Sequence, residues 1–414
     1  MSTASTASTA GPTGGRRSPG AMLALATIGF AVNFWAWSLL SPLASRFKEN
    51  LGLSPFQQSL LVAVPVIVGS LGRIPVGLLT DRYGGRAMFT VVSAVTIIPV
   101  LCLAWFGHSS LAGLLVFGFL LGVGGTAFAV GVPFVNAWYR PERRGTAIGI
   151  FGMGMGGTAI SAFTTVRLAE AWGLAAPFLL VAAVLAVYAV VAWFVLRDSP
   201  ARPVPSGSAL AGLKETCRLG VTWQASALYA VAFGGYVAFS VYLPTYLENA
   251  YRLTPSDASN RMAGFVILAV VMRPVGGWMS DRIGAVKVLS AVLAAVAVGA
   301  VIQAFTPPLM PLGTFAFLLM AAALGAGSGA VFALVALLAP AGKVGGVTGV
   351  VGAAGGLGGF VPPLVMGAVY EATGGYGIGL VLLALVAAAA TVFTATYVTK
   401  AVARRSTEGS PGGR

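Results

Sequence analysis

The sequence predicts an all-α integral membrane protein of twelve transmembrane helices in two six-helix halves, and three observations lead there. Of its 414 residues, 57% are hydrophobic and only 9% charged, and the mean hydropathy is +0.89, outside the range of soluble domains. Apolar runs of about 20 residues, enough for a helix to cross a hydrocarbon layer roughly 30 Å thick, recur along the whole chain. Finally, GRIPVGLLTDRYGGR (Gly72 to Arg86) is echoed 200 residues later by MRPVGGWMSDRIG (Met272 to Gly284). The same offset carries Asp81, Gly125, Gly145 and Gly149 onto Asp281, Gly325, Gly345 and Gly349. Two halves in parallel repeat are expected to place a binding site at their interface near the membrane midplane.

Taken in order, residues 1–20 are rich in Ser, Thr, Ala and Gly; they cannot bury a core and are expected to be a disordered cytoplasmic N-terminus. They form no cleavable signal, because the first apolar run is long enough to span and is followed by eleven more. The N-terminal half covers 21–196, with spans at 21–43, 56–79, 87–106, 109–138, 145–166 and 172–196. Span 1 carries Asn33, Trp35 and Trp37, whose aromatics suit either interface anchors or cavity lining. Residues 197–219, with DSPARPVPSGSALAGLKET at their centre, have the prolines, serines and charges of a cytoplasmic linker. The C-terminal half covers 220–399, with spans at 220–246, 258–280, 286–305, 310–338, 344–369 and 376–398, and 400–414 form a cytoplasmic tail.

The net charge of +14 raises the question of nucleic acid, and its distribution excludes it. With the N-terminus inside, 18 of the 25 Lys and Arg fall in inside segments, five fall in outside loops, and two, Arg73 and Arg273, fall within spans. That is the bias of an even-numbered bundle in the cell (inner) membrane with both termini cytoplasmic; the basic residues form no patch for nucleic acid. Cys102 lies in a span and Cys217 in an inside loop, and His108 stands alone in an outside loop. No metal site, disulfide or cofactor is expected from them.

The two intramembrane arginines are the functional signal. Each is followed eight residues on by an Asp-Arg pair, Asp81-Arg82 and Asp281-Arg282. Eight helical residues rise about 12 Å, so if the pair marks a span end the arginine lies towards mid-membrane. A charge there costs several kcal/mol and marks a function. Two of them at one depth, one from each half, suggest an anion site. Arginine's planar fork suits oxyanions better than lysine's point charge, and no lysine lies in a span interior.

The DRYGGR loop after span 2, with its echo at Ser280 to Gly284, resembles the short loop motif of the major facilitator superfamily. The glycine-rich GVGGTAFAVGVPFVNAWYRPERRGTAIGIFGMGMGGTAIS of spans 4 and 5 is similar to the signature of the nitrate/nitrite porter family within it. Its partner appears as GAGSGAVFALVALLAP and GGVTGVVGAAGGLGGFVPP in spans 10 and 11. Span 7, YAVAFGGYVAFSVYLPTYL, fits as well, and the resemblance covers about residues 20 to 400. It implies the major facilitator fold and secondary transport of nitrate and/or nitrite by alternating access. It also implies that Arg73 and Arg273 clamp the anion while Phe128, Tyr229 and Phe233 line the pocket. Tyr229 and Phe233 are four apart and share a helix face, and core packing or lipid contact is the ordinary role of such aromatics. The chain departs from the family at Met155 and Ser328, where an asparagine is usual, and these departures bear on which small anion is carried.

All eleven acidic residues fall in loops, tails or span ends, so a proton-coupled mechanism lacks its usual carrier. Importing one negative charge against 100 mV costs about 2.3 kcal/mol, and exchange of monoanions avoids it. Nitrate/nitrite exchange is therefore the expectation; alternatives are proton-coupled nitrate uptake or a facilitator for another small anion or organic anion. A non-transporting sensor would need an output module that the short loops do not provide, and no nucleophile, base or metal cluster suggests an enzyme. Asp81, at the inside end of span 2, is placed to pair with Arg144 or to face the N-terminus of span 11 near Lys343 to Gly346, with a solvated turn charge as the alternative. Arg82, Arg86, Asp281 and Arg282 complete the expected gating set. The bilayer and a small inorganic anion are the expected partners, with the monomer as the functional unit.

Overall fold

The computed structural model describes residues 18–200, 209–340 and 343–408. Of the N-terminal tail expected to be disordered over 1–20, residues 1–17 lie outside this set and Ser18 to Gly20 cap and open span 1; the Pro-rich core of the linker also lies outside it. Among the described residues, twelve helices are long and apolar enough to cross a membrane. Spans 1 to 6 are Pro19–Trp37, Pro55–Tyr83, Gly85–Trp105, Leu111–Trp138, Thr146–Trp172 and Ala176–Val195. Spans 7 to 12 are Gly220–Tyr251, Pro255–Ile283, Ala285–Ala304, Leu309–Leu338, Gly346–Thr373 and Gly377–Arg404. Two short helices lie between spans, Ala44–Leu51 after span 1 and Ala209–Cys217 before span 7.

Local sequence sets the ends and the kinks. Ser18 caps span 1 ahead of Pro19, Ser54 and Gln57 form a capping box on span 2, and the Thr254 hydroxyl accepts from the Asp257 amide on span 8; each satisfies donors that a helix start leaves open. Gly84 and Gly284 turn the chain between spans 2 and 3 and spans 8 and 9 at φ of 91° and 94°, a region that disfavours any side chain. Span 2 runs through Gly72, whose amide donates to the Val68 carbonyl and whose carbonyl accepts from the Val76 amide, and Pro75 withdraws one donor from the ladder beside it. The glycine-rich centres of spans 4 and 5 tighten to 3-10 geometry over Gly122–Thr126 and Met153–Gly156.

The halves repeat in packing as well as in sequence. Small residues let spans 2 and 4 touch at Gly69 and Gly125, where a Cβ on Gly125 would sit 2.8 Å from the Gly69 Cα. Two hundred residues on, a Cβ on Gly325 of span 10 would collide with the Ala269 carbonyl of span 8. Close approach of this kind drives helix association where no hydrophobic effect operates between helices.

Two antiparallel pairs join the halves, span 2 with span 11 and span 5 with span 8. At the face opposite the termini this seam is tied by hydrogen bonds. The Ser41 hydroxyl donates to the Val241 carbonyl, Gln58 Nε2 to Thr245 Oγ1 at 3.5 Å, and Ser59 Oγ to the Tyr242 hydroxyl at 3.2 Å. Gly352 and Gly356 of span 11 meet Phe128 and Ser70, whereas among the described residues nothing lies within 4 Å of where a Cβ would stand on Gly349, on the same face nearer the termini. The same holds at Gly77 and Gly277, one turn from Arg73 and Arg273. Among the described residues, the halves are therefore tied at the far face and open space adjoins these glycines.

Gly325→Ala is expected to destabilise the chain by about 1–3 kcal/mol through overpacking against span 8, lowering the melting temperature in detergent. Gly264→Ala, at an exposed site with nothing within 4 Å, stays within about 0.5 kcal/mol of the parent; equal melting of the two would contradict this account of the packing.

Candidate functional site

Arg73 enters the interior from span 2 and Arg273 from span 8, each with 6% of its surface exposed. Arg73 lies two residues before Pro75 and Arg273 directly before Pro274, each within its spanning helix. Their side chains reach across the seam in opposite senses. Arg73 Nη1 donates to the Gly352 carbonyl of span 11 at 2.7 Å, and its Nε has no partner. Arg273 Nη2 donates to the Tyr229 hydroxyl of span 7 at 3.0 Å, and Nη1 lies against the Met155 sulfur of span 5. One arginine of each half thus touches the other half. Glycine makes room for this: a Cβ on Gly356 would stand 3.4 Å from Arg73 Nη1, and one on Gly152 3.6 Å from Arg273 Nε.

Aromatic rings fill the space between the charges. The guanidinium carbons of Arg73 and Arg273 lie 5.3 and 5.8 Å from the Phe128 centroid, and 5.5 and 5.6 Å from that of Phe233. Each ring therefore serves both cations. Tyr229 and Phe233 stack at 4.8 Å with 2° between their planes. The structure thus brings Arg73, Arg273, Phe128, Tyr229 and Phe233 around one buried centre. Among the described residues, the partners of the two arginines are a carbonyl, a hydroxyl, a thioether and rings, with no carboxylate among them. Such a set offers charged N–H donors beside ring faces, which suits a small flat anion.

Three contributors escape sequence reasoning. Phe332 of span 10 lies 5.7 Å from the Arg273 guanidinium and 4.8 Å from the Tyr229 ring, yet it reads as one more apolar residue of its span. The Gly352 carbonyl is backbone and carries no side-chain signature. Tyr236 continues the stack at 5.8 Å from Phe233 and shares a 3.2 Å hydrogen bond with Thr158 of span 5. Its spacing of seven from Tyr229 and three from Phe233 was the available signal.

The departures at Met155 and Ser328 have different consequences. Met155 puts a soft sulfur against Arg273 where an amide would offer both a donor and an acceptor. Ser328 turns its hydroxyl onto the Leu324 carbonyl of its own helix at 2.7 Å and is absent from the contacts of both arginines.

The residues expected to gate lie at the face from which span 1 starts. Asp81, Arg82, Asp281 and Arg282 are exposed and Arg86 is half-buried. Arg82 stacks on Tyr83, Arg86 on Trp193 and Arg282 on Trp278, at 5.3, 4.6 and 4.4 Å. The Arg144 side chain is outside the described residues. Lys343 pairs with Glu215 of the linker helix at 2.8 Å, and this ammonium holds the Glu215 carboxyl below the ordinary carboxylate range.

The model for the Major Facilitator Superfamily matches residues 26–259 and 246–413. The probable nitrate/nitrite transporter NarK2 of Mycobacterium tuberculosis (strain CDC 1551 / Oshkosh) is 49% identical over 392 residues, which are 94% of this chain and 99% of that one. The nitrite extrusion protein of Bacillus subtilis (strain 168) is 37% identical over 89% of this chain and 92% of its own length. A bacterial homologue of the human lysosomal transporter Spinster, solved in an inward-facing and occupied conformation, shares the fold with a TM-score of 0.67 at 20% identity, covering 94% of this chain and 96% of that one. Twelve helices in two repeated halves and the extent of these matches give one assignment: the chain belongs to the nitrate/nitrite porter family of the major facilitator superfamily.

Proposed function

We propose that this chain moves nitrate and nitrite across the cell membrane by alternating access, as an exchanger. Relatives named as nitrate/nitrite transporter and nitrite extrusion protein support the substrate. The observation that carries the mechanism is the pair of buried arginines whose partners are all neutral. Both guanidinium carbons lie within 5.8 Å of the Phe128 centroid, so they stand no more than about 11 Å apart. At an effective dielectric near 20, two like charges at that separation repel by at least about 1.5 kcal/mol. A bound monoanion removes most of that repulsion and supplies acceptors for the unused N–H groups.

The empty site has substitutes of its own. Arg73 donates to Gly352 of the opposite half and Arg273 lies against Met155 of the opposite half. Reorientation without an anion must break these contacts while two charges stay buried and unneutralised, which is costly. With an anion between them the arginines hold the cargo in place of the opposite half. Exchange follows, since return of the carrier then needs a second anion. In this reading the termini are cytoplasmic, the membrane is the inner one, a single chain forms the whole pathway, and the described conformation opens to the cytoplasm.

Asp81 belongs to the opposite stroke of the cycle. Its carboxylate at the cytoplasmic end of span 2 is positioned to stabilise the outward-facing state by facing the start of span 11.

Proteoliposomes loaded with nitrite are expected to release it when nitrate is added outside, without a proton gradient. Arg73→Lys and Arg273→Lys each reduce that counterflow at least about tenfold, because a point charge cannot replace the fork, while melting as the parent does. Robust proton-driven uptake with no counter-anion would overturn the exchange reading, and undiminished counterflow in both variants would remove the clamp. For the gate, Asp81→Asn is expected to raise labelling of cysteines on the cytoplasmic side of the pathway; unchanged labelling returns Asp81 to a solvated turn charge.

A further inference from the structure

Among the described residues, the seam at the face opposite the termini holds two carboxylates: Glu248 of span 7, which faces Ser45 and Lys48 of the other half, and Glu371, which alone of the two reaches a helix start. Glu371, on the last turn of span 11, directs a single carboxylate oxygen to the start of span 2. That oxygen accepts from the Ser54 hydroxyl at 2.8 Å and from the Phe56 amide at 2.9 Å. Span 11 belongs to one half and span 2 to the other, so this is a charge-assisted tie between halves.

The first turn of span 2 shows why the tie is specific. A helix start leaves its first N–H groups without partners inside the helix. Here Pro55 has none to offer, the Gln57 amide reaches Ser54 Oγ, and the Gln58 amide reaches the Ser54 carbonyl. Gln57 Oε1 in turn accepts from the Ser54 amide at 2.9 Å. Only the Phe56 amide is left for an outside acceptor, and Glu371 supplies it. The carboxylate also meets the positive end of the helix dipole.

A second feature of span 11 brings Glu371 within reach. Gly367, one turn earlier, lies so close to span 2 that a Cβ there would collide with Ser59 Oγ and stand 3.2 Å from the Pro55 carbonyl. Small-residue contact and carboxylate thus sit on one helix face and engage the same turn of span 2. Apart from Glu248, which faces Ser45 and Lys48, the ties through Ser41, Gln58, Ser59, Thr158 and Tyr236 are between neutral groups.

We propose that Glu371 is the latch of the gate on this face: its carboxylate completes the cap of span 2 only while the halves are closed there, and so positions the carrier in the state open towards the termini. Spans 2 and 11 are antiparallel, so each has its C-terminal end beside the other's start, and Glu371 occupies that place at the far face.

The test reads conformation and needs no substrate, so its outcome is separate from that of the transport reading. In the full chain with Cys102 and Cys217 replaced by serine, reconstituted in nanodiscs, two reporters are labelled with a maleimide. Thr245→Cys lies in the closed seam, where Thr245 is 1% exposed, and Gly349→Cys adjoins the open space. Glu371→Gln is expected to raise the labelling rate at 245 by about threefold to tenfold and to lower it at 349. Phe56→Pro, which removes the amide donor in a first helical turn where proline is tolerated and leaves the Ser54 cap in place, shifts both rates in the same senses by less, and carries the test if Glu371→Gln does not fold. Unchanged labelling at 245 in a folded variant overturns the latch, and so does a rise at both reporters, which would mean general loosening.

Discussion

Two guanidinium groups are buried at one place without a carboxylate, and most of what is distinctive in this structure serves or answers that fact. A single buried charge usually finds a counter-charge or loses its proton, and arginine does not lose its proton. Here each cation is held instead by a neutral acceptor and by the faces of Phe128 and Phe233. Neutral partners leave the net charge of the site intact. In the proposed reading that charge is what attracts the anion, which a paired arginine would do far less.

The glycine content follows from the same requirement. Guanidinium groups reach a backbone carbonyl across a helix interface only if that interface lacks side chains at the point of crossing. Gly352 offers its carbonyl to Arg73 while Gly356 and Gly152 leave space beside the two guanidinium groups. Glycine elsewhere in these spans brings helix axes together, as Gly325 does against Ala269 and Gly355 against Tyr229. Close axes keep the chamber small, and a small chamber matches a small anion better than a drug-like compound.

Much of this was legible in the sequence because its signals are periodic or costly. The spans are written in apolar runs, and the repeat in an offset that carries Arg73, Gly77 and Gly84 onto Arg273, Gly277 and Gly284. Arg73 and Arg273 are conspicuous because a charge in hydrocarbon is too expensive to be incidental. What was hidden depends on three-dimensional pairing. Span 7 reads as ending near residue 246 but remains helical to Tyr251, since Tyr246 and Tyr251 are fastened by Gln303 of span 9 and Tyr376 by Asn249. Lys343 is drawn to Glu215 of the linker helix, whose Pro-rich surroundings gave no helical signal. Glu371 reads as a charge ending an apolar run, and nothing in its neighbourhood says that Phe56, more than 300 residues earlier, lacks a hydrogen-bond acceptor.

The composition of the closed seam follows from what alternating access demands. Two conformations that exchange during each turnover must lie within a few kcal/mol of one another. A seam of large apolar side chains would gain roughly 25 cal/mol for every Å² it buried from water, and would hold one state too firmly to be useful. Hydroxyls, amides and carboxylates behave differently. Each hydrogen bond contributes only about 0.5–1.5 kcal/mol over the bonds to water that it replaces, and when the halves part, water takes over the same groups. Alongside the apolar packing of Val62 and Val66 in one cluster with Val237 and Val241, Ser41, Gln58, Ser59, Glu248 and Glu371 thus add small, reversible increments to the closure. The balance between states can then be tipped by what happens at the arginines, where binding or losing one negative charge changes the energy by a comparable amount.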